Sequence, residues 1–71
     1  MKAETIDVLL DGRPHPVPVG TTLADLIEAL GHAPDAVATA IDGEFVPRAQ
    51  RAARVLQPGE AVFLFKRIVG G

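Results

Sequence analysis

The sequence predicts an α+β domain in which a mixed sheet of four to five strands carries one main helix across one face. Two observations favour this fold class. Apolar, β-branched segments stand near both ends of the chain, at 5–10 and 61–65, and a single amphipathic helix pattern begins at Leu23. Since one helix cannot cover both faces of a sheet, we expect it to lie across one face and leave the other open.

The first two strands are predicted to form a hairpin. Residues 5–10 are β-branched and apolar, with Ile6, Val8 and Leu10 on one face, and Asp11-Gly12 follows as a tight-turn signal. The return strand carries prolines at every second position, Pro14, Pro16 and Pro18. Residues of one parity direct their backbone N–H groups to the same edge of a strand, so the three missing donors fall on one side. Strand two is therefore predicted to be a sheet edge.

The main helix is predicted from apolar residues at i, i+3, i+4 and i+7, namely Leu23, Leu26, Ile27 and Leu30. Thr22 is the expected N-cap, and Asp25 three residues later completes a capping box. Gly31 is expected to end the helix in the left-handed conformation that glycine adopts without strain.

The middle of the chain is predicted to hold small, edge-like elements. Residues 38–42 and 44–46 are interpreted as two short strands, and residues 48–54 have the composition of a short α-helix. Arg48, Arg51 and Arg54 recur at every third position there. We expect these side chains to form a solvated basic face, or a surface complementary to an acidic partner protein.

The last strand is predicted to lie in the middle of the sheet, parallel to strand one. Residues 62–65 are apolar at both parities, which is typical of a central strand. Val62 and Leu64 are expected to face the helix, so Phe63 and Phe65 would form a docking patch on the open face. A slip of one residue in register would exchange the two faces, and the sequence leaves that alternative open.

Composition indicates one globular domain over residues 1–71, with a flexible tail at 66–71. The chain is 48% apolar and has no cysteine, which excludes disulfides and thiolate chemistry of its own. No apolar run is long enough to span a membrane, and we expect a cytoplasmic protein. Residues 1–47 carry eight acidic and two basic side chains, whereas residues 48–71 carry one acidic and five basic ones. No aromatic residues interleave with the basic ones, so nucleic-acid binding is not expected.

The side chains that could carry chemistry do not form a catalytic set. His15 and His32 have no companion ligands at metal spacing, and no metal site is expected. Gly70-Gly71 ends the sequence, and two residues without Cβ atoms can enter a channel too narrow for side chains. We therefore expect the terminal carboxylate to be the reacting group and other proteins to act on it.

Three segments together closely resemble the ThiS family, the sulfur carriers of thiazole synthesis in thiamine biosynthesis. They are Ile41-Asp42-Gly43-Glu44-Phe45-Val46-Pro47-Arg48, Leu56-Gln57-Pro58-Gly59-Glu60-Ala61-Val62 and Gly70-Gly71. The resemblance extends over essentially the whole chain, and the Val-Pro-Arg step is its more specific part. It implies a ubiquitin-like β-grasp fold.

The resemblance also implies a mechanism. An adenylyltransferase of the ubiquitin-activating type would use ATP to adenylate Gly71, and a sulfur-donor enzyme would convert it to a thiocarboxylate for thiazole synthase. Gly70 would allow the tail to thread into the partner. Five residues are expected at partner interfaces: Phe63, Phe65, Lys66, Arg67 and Ile68. The chain would bind no cofactor itself and would not be an enzyme.

Two related functions remain as alternatives. One is the small sulfur-carrying subunit of molybdopterin synthase, and the other is a ubiquitin-like modifier that is conjugated to lysine. The chain also departs from the family pattern at two positions. Arg51 stands where many members have tryptophan, and Glu60 stands where aspartate is common. The first departure places one family packing contact in doubt.

Overall fold

A computed structural model describes residues 4–66 of the chain. Arg67, Ile68, Gly70 and Gly71 lie outside these residues, so the predictions that concern them stay predictions. The described residues form five strands and one α-helix: β1 (Thr5–Leu10), β2 (Arg13–Pro18), α1 (Leu23–Ala29), β3 (Val37–Ile41), β4 (Glu44–Val46) and β5 (Ala61–Lys66). Two short 3-10 helices, Pro34–Ala36 and Arg48–Ala53, complete the order.

The five strands form one mixed sheet with the order β2-β1-β5-β3-β4. The central strand β5 runs parallel to β1 and antiparallel to β3, which confirms the predicted position of the last strand. β2 is an edge strand, as its prolines predict. Its even-numbered positions carry the prolines, and the odd-numbered Val19 just beyond it donates its N–H to the Glu4 carbonyl at 2.9 Å.

Two hairpin turns in the sheet have the same conformation. Asp11 and Gly12 join β1 to β2 with φ values of 50° and 85°, and Asp42 and Gly43 join β3 to β4 with φ values of 52° and 85°. Positive φ at both central residues is the geometry of the tight two-residue turn that matches the twist of paired strands. The Asp-Gly signal therefore predicts the first turn correctly. At the second turn Asp42 was assigned to the strand 38–42, whereas β3 ends at Ile41 and Asp42 belongs to the turn.

Helix α1 begins and ends with the predicted caps. The Thr22 side chain accepts a hydrogen bond from the Asp25 backbone N–H at 3.1 Å, and the Asp25 carboxylate accepts from the Thr22 N–H at 3.1 Å. Leu30 is the C-cap, and Gly31 follows with φ of 82°. The capping box satisfies two donors that the first turn of a helix leaves free.

The core lies between α1 and one face of the sheet. Leu23, Leu26 and Ile27 on the helix are buried, as predicted, and Leu30 is half-buried. Each of the five strands contributes residues of one parity to the core cluster, and Leu56 joins from the loop before β5. The remaining core residues are Val8, Val17, Val37, Ile41, Val46 and Val62. The opposite face of the sheet is not covered by any of residues 4–66 that form helices.

Three predictions about the middle and end of the chain need correction. β3 is an internal strand between β5 and β4, so of the two short strands only β4 is an edge. Residues 48–53 form a 3-10 helix, because a single short segment tied to the core can take the tighter turn that longer helices avoid. The predicted tail starts at Lys66, whereas β5 continues through Lys66, whose Cα partner is Val37.

Candidate functional site on the open face of the sheet

All three phenylalanines of the chain project from the face of the sheet that α1 leaves open. Phe45 on β4 is 68% exposed, and Phe63 and Phe65 on β5 are 37% and 56% exposed. The chain has no tryptophan or tyrosine, so this face holds every aromatic side chain. Val62 is fully buried and Leu64 is half-buried. The prediction that Phe63 and Phe65 lie on the open face is therefore confirmed, and the alternative register is wrong.

Strand pairing brings the three rings together across β3. Ala40 pairs with Phe45 on one side and with Phe63 on the other, while Ala38 pairs with Phe65. Residues that pair directly share a face, and the small alanines leave space between the flanking rings. We call Phe45, Phe63, Phe65 and Leu9 the open-face patch. Leu9 joins it because Leu9 pairs with Ala61 at the same parity and is 37% exposed.

An exposed aromatic cluster on a small domain needs a physical reason. Large apolar side chains cost free energy in water, and contiguous exposed patches mark contact sites more often than isolated apolar residues do. Aromatic rings also supply most of the energy at the centres of protein interfaces. The open-face patch is therefore the part of the described structure best suited to contact a partner protein.

Phe45 was missed by the sequence analysis, although a local signal points to it. Val46 is buried and follows directly, and neighbouring residues in a strand point to opposite faces. Once Val46 is assigned to the core, Phe45 must project from the open face. A groove of about 440 Å³ lies beside β4, between Phe45 and Arg54. The open-face patch thus borders a groove at the edge of the sheet whose lining is both apolar and polar.

The end of β5 leads from the patch towards the glycine tail. β5 pairs with β3 from Val62 to its last residue, where Phe65 pairs with Ala38 and Lys66 with Val37. Its pairing with β1 covers only Ala61 and Val62. Lys66 is exposed at the end of the strand, next in the chain to the predicted tail contacts. Phe63, Phe65 and Lys66 therefore share one strand, while their contact with a partner stays a prediction.

Arg51 is not part of a solvated basic face, which corrects the prediction for residues 48–54. Its side chain is 5% exposed and extends from the 3-10 helix to β3. The guanidinium donates to three oxygens: Thr39 Oγ1 at 3.2 Å, the Pro34 carbonyl at 2.9 Å and the Val37 carbonyl at 2.6 Å. Thr39 Oγ1 in turn donates to the Val46 carbonyl at 2.9 Å. Arg51 therefore ties the loop before β3 to β3 itself.

The charged guanidinium of Arg51 donates only to neutral oxygens, one hydroxyl and two carbonyls. Burial lowers the pKa of the guanidinium, the nearby Arg48 lowers it further, and Asp35 partly opposes both. The Arg48 side chain forms an exposed ion pair with Asp35. Because the guanidinium keeps five N–H donors in a fixed fork, it can satisfy several carbonyls at once. Arg51 has a structural role here and does not belong to the candidate site.

The remaining polar residues of interest also have structural contacts. Arg54 forms an ion pair with Glu60, and Glu60 Oε1 accepts a hydrogen bond from the Gln57 N–H at 2.7 Å. Glu60 thus holds the turn that precedes β5. Among residues 4–66, no group of three or more His, Asp or Glu side chains could hold a metal ion. Within the same part of the chain, no helix is long and apolar enough to cross a membrane.

Comparison with known proteins agrees with the fold and the resemblance in the sequence. The family model of the ThiS family matches residues 6–71. This chain belongs to the ThiS family. The sulfur carrier protein ThiS of Escherichia coli K12 is 38% identical to it over 52 residues, which cover 73% of this chain and 79% of the E. coli protein. The resemblance recognised in the sequence is therefore confirmed.

Two solved structures of a ThiS-family protein extend the comparison to three dimensions. The crystal structure of the thiamine biosynthesis protein ThiS from Geobacter metallireducens matches with a TM-score of 0.80 and 25% identity, over 93% of this chain and 100% of that chain. The solution structure of a thiamine biosynthesis protein from the same organism matches with a TM-score of 0.77 and 25% identity, over 93% of this chain and 88% of that chain. The predicted β-grasp, ubiquitin-like fold is confirmed.

Proposed function

We propose that this chain is a sulfur carrier of thiamine biosynthesis whose Gly71 carboxylate is adenylated with ATP and converted to a thiocarboxylate. The observation that carries the proposal is the match to the ThiS family over residues 6–71, which includes the Gly70-Gly71 pair. The E. coli relative is named as a sulfur carrier protein, and the G. metallireducens relative is named as a thiamine biosynthesis protein.

The chemistry proposed for Gly71 proceeds in two steps. The carboxylate attacks the α-phosphorus of ATP, pyrophosphate leaves, and the product is an acyl adenylate. Sulfide delivered by the donor enzyme then attacks the carbonyl carbon, the bond from that carbon to the AMP oxygen breaks, and AMP leaves. Loss of the proton on sulfur gives the thiocarboxylate. Adenylation converts a poor leaving group into a good one, and the partner supplies the electrostatic stabilisation that phosphoryl chemistry requires.

In this scheme the chain is a protein co-substrate in the cytoplasm and not an enzyme. Its partners are an adenylyltransferase of the ubiquitin-activating type, a sulfur-donor enzyme and thiazole synthase. The open-face patch and Lys66 would contact these partners, together with Arg67 and Ile68 of the tail. Gly70 would let the tail enter a narrow channel, because a glycine has no Cβ to collide with the channel wall.

Intact-mass spectrometry tests the proposal. The full chain is incubated with the adenylating partner, ATP and a sulfur donor, and the expected product is heavier by the difference between one sulfur and one oxygen atom. The control is a variant that lacks Gly71, which should keep its thermal transition and gain no sulfur. An unchanged mass of the full chain with several partners of the adenylating type would refute the carrier function.

The same reaction separates the two alternative functions. Sulfur delivery to thiazole synthase supports the thiamine pathway, whereas delivery to the large subunit of molybdopterin synthase would assign the chain to that enzyme. Covalent ladders on denaturing gels, formed through isopeptide bonds to lysine, would assign it to the protein modifiers. The match to the ThiS family favours the first outcome.

A further inference from the structure

β5 is held on both flanks by the aspartates of the two Asp-Gly turns. Asp42 donates its N–H to the Ala61 carbonyl at 2.8 Å, and its Oδ1 accepts from the Ala61 N–H at 2.9 Å. Asp11 donates its N–H to the Val62 carbonyl at 2.9 Å, and its Oδ1 accepts from the Leu64 N–H at 3.3 Å. Each aspartate therefore binds the central strand through its own backbone N–H and through its own carboxylate.

The two contacts differ in their position along β5. The Asp42 contact lies at Ala61, the first residue of the strand, where β5 enters the sheet. The Asp11 contact reaches Leu64, two residues before the end of the described strand. Only the Asp11 contact is thus near the point where β5 leads into residues 67–71.

The Asp11 carboxylate replaces a rung of the parallel ladder between β1 and β5. The rungs from Leu9 N–H to the Glu60 carbonyl and from Asp11 N–H to the Val62 carbonyl are 2.8 and 2.9 Å long. In a regular parallel ladder the next rung joins the Leu64 N–H to the Asp11 carbonyl. Asp11 has a φ of 50°, which turns its backbone into the hairpin, and its Oδ1 accepts the Leu64 N–H instead.

The replaced rung is the last contact on the β1 side of β5 within residues 4–66. Beyond Leu64 the strand keeps its pairing with β3 alone, through Phe65 with Ala38 and Lys66 with Val37. An end of a strand that is paired on one side only opens more easily than a strand paired on both. The Asp11 bond therefore determines how far the two-sided support of β5 extends towards the tail.

We infer that Asp11 is a positioning residue for sulfur loading: its carboxylate extends the two-sided support of β5 to Leu64 and so holds the end of the strand, Phe65 and Lys66, in place for partner binding. This inference rests on the proposed function, because it concerns how the reacting segment is presented. A tail whose first residues are ordered in advance loses less conformational entropy when it binds. The expected consequence is a lower KM for the carrier, with little change in kcat.

Substitutions at the twin turns separate positioning from general stability. Asp11→Gly removes the carboxylate and keeps the positive φ, since glycine adopts it without strain. Asp11→Asn keeps an acceptor oxygen and tolerates the same φ. Asp42→Gly makes the same change in the same kind of turn, but at the start of β5. The full chain is used for each variant, and far-UV circular dichroism confirms that each one folds.

Two readouts test the inference. Amide hydrogen exchange of Leu64 should become roughly tenfold faster in Asp11→Gly, as expected for the loss of a hydrogen bond to a charged group. It should become only about threefold faster in Asp11→Asn, whose neutral amide oxygen still accepts the bond. In the adenylation assay with ATP, the KM of Asp11→Gly should rise about fivefold while kcat stays within twofold, because only the ordering of the end of β5 changes. Asp42→Gly should leave both values within twofold.

Three results would overturn the inference: an unchanged KM in Asp11→Gly, an equal rise in KM in Asp42→Gly, or a Leu64 amide that Asp11→Asn fails to protect. Failure of the proposed function is a different result, because the wild-type chain itself would then not be adenylated. In that event, the hydrogen-exchange data alone decide whether Asp11 holds the end of β5. An Asp11→Gly variant whose Leu64 and Phe65 amides exchange as in wild type would still exclude Asp11 as the residue that holds the end of β5.

Discussion

The two faces of the sheet are built from the same strands and differ in almost every other respect. On the covered face, Val8 and Val62 are fully buried under helix α1. On the open face, the next residues of the same strands, Leu9 and Phe63, are each 37% exposed. Successive side chains of a strand point to opposite faces of the sheet, so neighbouring residues lie in these two different environments. The covered face supplies the core of the domain, and the open face carries the patch that we propose as its contact surface.

The difference shows how a small domain divides its apolar residues. A chain of this size buries only roughly 60% of the surface that its unfolded form exposes, so its stability margin is narrow. Even so, three aromatic rings, which would be the largest side chains in its core, project into solvent. Because the rings are exposed, the domain forgoes the favourable free energy that their burial in the core would contribute. Such a placement is reasonable where the rings are needed by another protein.

The largest effect is expected from a charge placed on the covered face. Leu23 is fully buried at the start of α1, and Leu23→Asp would bring a carboxylate into the core without a partner. Burying an unpaired charge costs several kcal/mol, which is comparable to the whole stability of a small domain. We expect no cooperative thermal transition in this variant. The matched control is Phe65→Asp on the open face, which should still unfold cooperatively.

A cooperative transition of Leu23→Asp near the wild-type temperature would refute the assignment of α1 to the core. Loss of folding in Phe65→Asp would show instead that the open face also contributes to the core. The pair therefore tests the division between the two faces in both directions.

A smaller but still large effect is expected at Arg51. Arg51→Leu leaves the carbonyls of Pro34 and Val37 without the donors that they have in the folded chain. A buried polar group that loses its partner costs about 1–3 kcal/mol, so the free energy of unfolding should fall by about 2–4 kcal/mol. Urea denaturation measures this change. The control is Arg48→Ala, which removes an exposed ion pair and should change stability by less than about 1 kcal/mol.

Equal effects of Arg51→Leu and Arg48→Ala would contradict the structural role of Arg51. In that case the three hydrogen bonds of its guanidinium would contribute no more than a surface ion pair does.

The smallest effect on stability is expected from truncation on the open face. Phe65→Ala removes a ring that is 56% exposed, so the free energy of unfolding should fall by about 1 kcal/mol or less. Binding to the adenylating partner should weaken about tenfold or more, as for an aromatic residue at the centre of an interface. Calorimetric titration measures the affinity. Val19→Ala is the control, because Val19 is 60% exposed and lies outside the open-face patch.

If Phe65→Ala unfolds the domain, or if Val19→Ala weakens binding equally, Phe65 has no special role in the interface. A variant that keeps both stability and affinity would remove Phe65 from the contact surface and leave Phe45, Phe63 and Leu9 to be tested.

Much of the fold could be predicted because the deciding signals are local. The prolines of β2 mark an edge through the donors that they lack, and the Asp-Gly pairs specify turns with positive φ. Thr22 and Asp25 cap each other three residues apart. The central position of β5 was predicted from its apolar residues at both parities. The structure confirms the position, although Phe63 and Phe65 on one of its faces remain exposed.

The errors occurred where long-range contacts override local preference. Arginine is seldom buried, and nothing near Arg51 in the sequence shows that the carbonyls of Pro34 and Val37, which lie 17 and 14 residues away, will surround it. The same contacts hold residues 48–53 in a 3-10 helix although their composition favours an α-helix. Phe45 was missed because β4 has only three residues, too few for its alternation to be recognised alone.

The candidate site could be predicted only in part for a related reason. The faces of Phe63 and Phe65 depend on a register that sequence cannot specify to one residue, and the structure supplies it through the pairs with Ala40 and Ala38. The contact between Asp11 and Leu64 joins residues 53 positions apart and has no sequence signal.

The most direct test of the division between the two faces is to measure stability and sulfur loading on one variant, Phe45→Ala/Phe63→Ala/Phe65→Ala. The account predicts a folded protein with a cooperative thermal transition, and a rate of thiocarboxylate formation at low carrier concentration that falls about a hundredfold as partner contacts are lost. An unfolded variant would place the rings in the core. A folded variant that is loaded at the wild-type rate would show that the partners do not use the open face.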